Sequence, residues 1–367
     1  MKKVSFFAMF AATALMMGVT SCSNDDNVGE EGQPVEGKTA SLTIAIDNPA
    51  TGRATGAAST GDATINNFTV FVVDDKDAIA WKQYVDLSSG GANPATLTVN
   101  TSAKEVYVIA NAGNQSSYTT KAALVAATET LTSQYTGRWA TGNVTIASGD
   151  WTTNATTGDM EAKKTVDLQF IASRITVKVD NQMPNYDGTT LGTTILNDVV
   201  VLNANSNSLL FGSSLIPSGG MTFQAGLALT GLSNWPSAVT TNTDLTDSYI
   251  NAQHSTAQEF HYYVYENNAK LVTDFPTIVT VVGVDANGDD VHYPVHLAPY
   301  EQWASGSTSS SVERGKSYDI TITLKGDAQS GNSGGTTDPT TPVTSAELEV
   351  TISITDWIPV TLTKEFN

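Results

Sequence analysis

One cysteine, Cys22, in 367 residues rules out an intrachain disulfide. Charge is scarce as well: Asp, Glu, Lys and Arg make up 15% of the chain, with 37 acids against 18 bases and a formal net charge of −19. There is no basic run, which argues against nucleic acid as a partner. Only four histidines occur, at 254, 261, 292 and 296. His292 and His296 are separated by Tyr-Pro-Val, which reads as strand, so their rings stand more than about 12 Å apart at ~3.3 Å per residue. They cannot hold one ion together. The run Asp285-Ala-Asn287-Gly288-Asp289-Asp290 lacks the closing Glu of a calcium loop and reads instead as a hairpin turn in which Asn-Gly supplies positive φ. The sequence has no Gly-rich phosphate loop, nucleophile elbow or paired-Cys motif. Ser and Thr are too abundant to nominate a nucleophile. The reading is of a chain with no catalytic residues, no cofactor and no metal.

What is present favours an all-β protein. Apolar content is an ordinary 40%, and Thr, Ser, Asn, Gly and Ala fill the place of the missing charge, a mixture of β-branched residues and turn formers. Strand patterns fall at Phe68–Val73, Ala78–Leu87, Thr96–Val99, Val106–Ala110, Val144–Ile146, Thr165–Phe170 and Arg174–Val179. A second set covers Ile195–Leu202, Met221–Leu229, Glu259–Tyr265, Thr277–Val284, Val291–Leu297 and Tyr318–Leu324. One segment breaks the pattern: Leu124, Thr128, Leu131 and Tyr135 fall at helical spacing between Tyr118 and Tyr135. A boundary near Ala172, between the two sets of strands, gives domains over 54–172 and 173–325. Residues 326–344 read as a Gly/Ser/Asp/Thr/Pro linker without apolar content, and 345–367 as a detached tail.

The two ends of the chain carry interchangeable patterns. Leu42, Ile44 and Ile46 alternate in a strand near the front, and Leu348, Val350, Ile352 and Ile354 alternate near the end, followed by Trp357, Ile358, Val360 and Leu362. Period-2 alternation marks a strand with one buried face. A closing strand set off by about 20 linker residues departs from the short connections usual in a sandwich. Ahead of the first strand, Lys2-Lys3 and the apolar run Val4–Val19 form a signal peptide over 1–21, too short to span a bilayer as a helix. Its end, Val19-Thr20-Ser21-Cys22, resembles the bacterial lipoprotein box; an ordinary signal peptide with an incidental Cys is the plain alternative. Residues 22–53 form an acidic tether plus the first strand. Arg53-Ala54 sits in a run of Pro, Ala, Thr and Gly, the small-residue loop type that proteases cut.

Together the lipobox, the early strand, the Arg53-Ala54 junction and the Trp-containing tail resemble the major fimbrillins of type V pili from the Bacteroides group. Phe260–Asn267 (FHYYVYEN), Glu313-Arg314-Gly-Lys-Ser-Tyr318-Asp-Ile320-Thr-Ile322 and Ala346–Ile352 through Asp356-Trp357 fit the same family. The resemblance implies two transthyretin-like β-sandwich domains, with the helical segment in the first and a C-terminal donor-strand tail. It implies an outer-membrane lipoprotein precursor acylated at Cys22 and cut between Arg53 and Ala54 by an Arg-specific or trypsin-like protease. On this pattern Leu42, Ile44 and Ile46 are a plug strand, and Leu348, Val350, Ile352, Ile354, Trp357, Ile358, Val360 and Leu362 belong to the donor strands that join copies and related subunits into a surface fimbrium. Cutting there leaves the body with 31 acids against 14 bases, so maturation barely changes its charge. Three other readings stay open. The tail is simply the last strand pair of the second domain, the chain is a minor accessory subunit, or it is a surface glycan-binding lipoprotein using Trp81, Trp139, Trp151, Trp235 and Trp303.

Overall fold

A computed structural model of the chain describes residues 37–47, 64–132, 139–183, 195–212, 222–232, 235–250, 257–269, 275–284, 288–297, 312–325, 336–340, 348–356 and 360–361. Among the described residues the first elements are β1 (Thr39–Asp47), β2 (Thr64–Ile65), β3 (Asn67–Asp74), β4 (Ile79–Asp86), β5 (Ala95–Asn100) and β6 (Ala103–Ala110). A short helix, α1 (Lys121–Val125), leads to β7 (Thr128–Thr130), β8 (Ala140–Thr145), β9 (Thr152–Thr153), β10 (Met160–Asp167) and β11 (Gln169–Phe170). Next come β12 (Ala172–Asn181), β13 (Ile195–Leu202), β14 (Ala204–Asn205), β15 (Asn207–Leu209), β16 (Phe223–Ala225) and β17 (Val239–Thr241). The series ends with β18 (Thr246–Ser248), β19 (Gln258–Tyr265), β20 (Ile278–Val284), β21 (Asp290–His296), β22 (Lys316–Leu324), β23 (Leu348–Asp356) and β24 (Val360–Thr361).

The protein is all-β, built as sandwiches. Sheets ordered β5-β1-β10-β9 and β11-β8-β6-β3-β4 share one apolar core that includes Leu42, Ile44, Phe68, Val70, Leu97, Val108 and Val166. Sheets ordered β17-β16-β14-β19-β12-β22-β23 and β18-β13-β20-β21 enclose a second core that includes Ile175, Val177, Tyr262, Val279, Tyr293 and Ile320. Membership passes from the first core at Ala172 to the second at Ile175, both within β12. The alternation of Ile175, Val177 and Val179 places all three in the second core, while Lys178 between them is exposed. Strand β20 carries apolar side chains on both faces, interrupted by the buried Thr280 and by Gly283, and both faces are covered. Val279 and Val281 meet the second core, and Ile278 and Val282 meet a smaller cluster with Val200, Leu202 and Ala225. A strand buried on both sides loses its period-2 signal.

One expectation is corrected. The helix is a single turn, capped where Thr120 accepts from the Ala123 N–H. Leu124 anchors it in the core, but Thr128 lies in β7, which pairs antiparallel with β15, and Leu131 follows in extended chain whose N–H donates to the Ser206 carbonyl. Thr128-Glu-Thr130 is β-branched at both ends, and a neighbouring ladder decides for strand where helix spacing alone is ambiguous. Tyr135 lies outside the described residues.

Candidate functional site

Strand β1 occupies an interior slot of its sheet. It runs parallel to β10, with Ala40 to Asp47 against Met160 to Asp167, and antiparallel to β5, with Thr39 to Ile44 against Asn100 to Ala95. Ala40, Leu42, Ile44 and Ile46 are 3%, 0%, 0% and 2% exposed, while Ser41, Thr43 and Ala45 are half-buried on the other face. Both ends of the strand are gripped by side chains. Where the β5 ladder stops, Asn93 continues it: its Oδ1 accepts from the Ile46 N–H at 3.1 Å and its Nδ2 donates to the Ile46 carbonyl at 3.1 Å. At the other end the Asn100 Nδ2 donates to the Gly37 carbonyl at 2.9 Å, and the Thr101 N–H donates to the Lys38 carbonyl at 2.9 Å. A chain without β1 would therefore present two unpaired ladders with an apolar floor between them, a template for strand addition.

Strand β23 lies at the opposite extreme of its sheet. It pairs with β22 along one side, Leu348 to Asp356 against Leu324 to Lys316, and forms the sheet's edge. Val350 and Ile352 pack against the second core but remain partly exposed, and Ile354 is 52% exposed. The Lys316 Nζ meets the Asp356 carboxylate at 2.7 Å, both near the surface. Beyond it, Val360 and Thr361 form β24, parallel to Thr64 and Ile65 of β2. Trp357, Ile358 and Leu362 lie outside the described residues, as do Cys22, Arg53 and Ala54.

Other residues singled out in the sequence fall into structural places. The hairpin joins β20 to β21, and Gly288 has φ of +87°; residues 285–287 lie outside the described set. His292 is buried and His296 half-buried on β21. Among the described residues no cluster of three His, Cys, Asp or Glu side chains is arranged to hold a metal. Trp81 and Trp139 pack against the first core, Trp151 lies within it and Trp235 covers the small outer cluster, so these four share no exposed platform. Trp303 lies outside the described residues.

Three features escaped the sequence reading. Asn93 is one. Arg314 is another: its guanidinium donates to the Leu209 carbonyl at 2.8 Å, the Leu210 carbonyl at 2.7 Å and the Thr141 Oγ1 at 2.8 Å. It thus ties β22's leading turn to β8 of the first core. Burial lowers this guanidinium to about 10 and raises the nearby Glu266 carboxyl to about 7, against the pull of Arg314. The third concerns the supposed linker. Thr336 pairs with His292 by two backbone hydrogen bonds of 2.8 and 2.9 Å, and Pro339 and Thr340 are buried. Their only sequence signal is that Thr336-Thr-Asp-Pro-Thr340 has the side chains of a self-bonded turn.

Comparison with known proteins agrees with this architecture. The family described as "FimA-like major fimbrial subunit protein, C-terminal domain" matches residues 172–357, and "Major fimbrial subunit protein (FimA)" matches residues 40–206. Among solved structures, a candidate cell adhesion protein from Bacteroides eggerthii DSM 20697 is 26% identical with a TM-score of 0.65, covering 91% of this chain and 100% of that one. A fimbrilin (fimA) from Porphyromonas gingivalis W83 is 18% identical with a TM-score of 0.62, covering 88% and 99%. A candidate cell adhesion protein from Parabacteroides distasonis ATCC 8503 is 16% identical with a TM-score of 0.55, covering 88% and 100%; these last two show shared fold. No curated protein sequence matches the chain. With half of its length matched by the C-terminal family and the preceding residues by its N-terminal counterpart, the chain belongs to the FimA-like major fimbrial subunit family and is a structural subunit of a fimbrium.

Proposed function

We propose that this subunit is a lipoprotein acylated at Cys22, matured by cleavage between Arg53 and Ala54, and polymerised by exchanging β1 for the tail of another copy as the repeating unit of the stalk. One observation carries the reading. Strands β1 and β23 are each nine residues long and each has four alternating apolar residues, but those of the first are fully enclosed, whereas Val350, Ile352 and Ile354 of the second are only partly covered at a sheet edge. Matched in the same direction, Ala40, Leu42, Ile44 and Ile46 give way to Leu348, Val350, Ile352 and Ile354. Enclosing those side chains is favourable by about 1.5–3 kcal/mol each, a gain the tail only partly realises on its own domain.

The covalent link protects β1 from replacement. A tethered strand acts at an effective concentration on the order of millimolar, against which a neighbour's tail is dilute. Cleavage at Arg53 removes that advantage and separates the body from its lipid. Ordering a tail costs about 1–2 kcal/mol per residue, so fibre durability rests on slow release of an enclosed strand. The division into domains 54–172 and 173–325 belongs to this proposal, as do the outer-membrane precursor and a trypsin-like or Arg-specific protease as partner. Arg53→Ala tests it: the variant is expected to reach the surface without assembling fibres, and normal fibres would remove this junction from the pathway.

A further inference from the structure

The chain between β22 and β23 does not simply bridge them. From Thr336 to Thr340 it lies along β21, the edge strand of the second core's four-stranded sheet. The His292 N–H donates to the Thr336 carbonyl at 2.8 Å and the Thr336 N–H returns a bond to the His292 carbonyl at 2.9 Å. The segment is braced from within: Asp338 accepts from the Thr340 N–H and from its Oγ1, and the Asp338 N–H donates to the Thr336 Oγ1 at 3.1 Å. The Pro339 carbonyl lies 3.0 Å from the His296 Nε2, so Nε2 carries the donated proton. Thr340 is 2% exposed.

Two imidazoles thus sit at this contact, on the outer face of β21. On β20 their register partners are Val282 and Ile278, and that strand has no ionisable residue. The 222–241 stretch, whose Leu227, Leu229, Trp235 and Val239 cover the same face, has none either. Asp290 on β21 and Asp338 on the docked segment are the charges that favour protonation, and burial outweighs them: His292 is lowered from its ordinary value and His296 falls to about 4. Asp198 lies two strands away from His292 in the register. The His292 Nδ1 is buried with no hydrogen-bond partner, so a proton added there has no acceptor waiting.

We propose that Thr336–Thr340 is a latch that fixes the root of the C-terminal tail to the edge of β21, and that protonation of His292 and His296 opens it. The docked state favours neutral rings. Its stability is therefore full above the free-histidine value near 6.5 and is lost as pH falls toward about 4, since the open state binds more protons.

The consequence for assembly rests on the strand-exchange reading given above. With the latch closed, the tail reaches from Thr340 to Leu348 across at most roughly 28 Å; with it open, the reach from Lys325 is about 80 Å at full extension. Closure confines the tail's search volume by an order of magnitude or more and raises its effective concentration near its own subunit's end of the fibre.

Hydrogen exchange on the unpolymerised full-length chain tests the latch, with each rate referred to an unstructured peptide at the same pH. Peptides spanning 336–340 are expected to be protected at least ~10-fold at pH 7.5 and to lose that protection at pH 4.5 while β12 and β22 keep theirs. Thr336→Pro, which removes one bridging N–H, is expected to open the segment at pH 7.5. The double variant His292→Gln, His296→Gln is expected to keep it closed at pH 4.5. The latch is overturned by free exchange of 336–340 at pH 7.5, by protection that persists in acid, or by loss only together with β22. Fibre loss in Arg53→Ala bears on strand exchange alone, so the two ideas fail separately.

Discussion

Strands β1 and β23 are alike in length and pattern and opposite in circumstance. Strand β1 has a neighbour on each side, its inward residues are closed off, and Asn93 and Asn100 hold its ends. Strand β23 has one neighbour, Ile354 is half in water, and an exposed ion pair marks its end. Alternation specifies which face of a strand is apolar. It does not specify how completely that face is covered, which depends on the number of neighbours and on what lies beneath. The subunit thus holds one such strand enclosed and another at a sheet edge, and the proposed strand exchange rests on that difference.

The sharpest way to break this contrast is to put a carboxylate into each strand. Ile44→Asp places a charge at a fully enclosed position and is expected to cost at least about 4 kcal/mol, read as loss of soluble precursor. Ile352→Asp is expected to leave a folded monomer with an unchanged melting temperature within a few degrees, yet to stop chain extension. Equal damage from the two would erase the difference between the strands.

A pH titration examines the joint between the cores. Glu266 is held well above its unfolded value by burial, at about 7. A carboxyl raised in the folded state binds its proton more tightly there, so its contribution to stability is present below the unfolded value and is lost as pH rises through about 7. Glu266→Gln is expected to flatten that decline between pH 4.5 and 7 in urea titrations, whereas an unaltered slope would assign it elsewhere.

Smaller effects separate the grips on the two ends. Asn93→Ala removes both bonds to Ile46 and is expected to lower the stability of the full-length chain by about 1–2 kcal/mol. Lys316→Ala removes the exposed pair with Asp356 and is expected to change monomer stability by less than about 0.5 kcal/mol, within the error of the same urea titration. A loss of several kcal/mol there would show that the tail is held as firmly as the head.

Much of this was legible in the chain. The strands at 195–202 and 278–284 fall where alternation and apolar runs place them, and the head strand's inward residues are the ones its periodicity selects. The helix was over-read because Leu124, Thr128 and Leu131 are spaced for one, and only β15 converts Thr128–Thr130 into a strand. Residues 336–340 look like linker because polar side chains that bond to one another carry no hydrophobic signal. Arg314 looks like any turn arginine until three acceptors from distant segments converge on it.

By itself the sequence determined the all-β class, the scarcity of charge and the matched apolar patterns at the two ends, because these follow from composition and from the two-residue period of a strand. Tertiary structure alone decided that β1 is interior and β23 marginal, that Asn93 completes a ladder, and that part of the linker is docked over two histidines. Burial and pairing depend on which distant segments come together, and no local pattern records that.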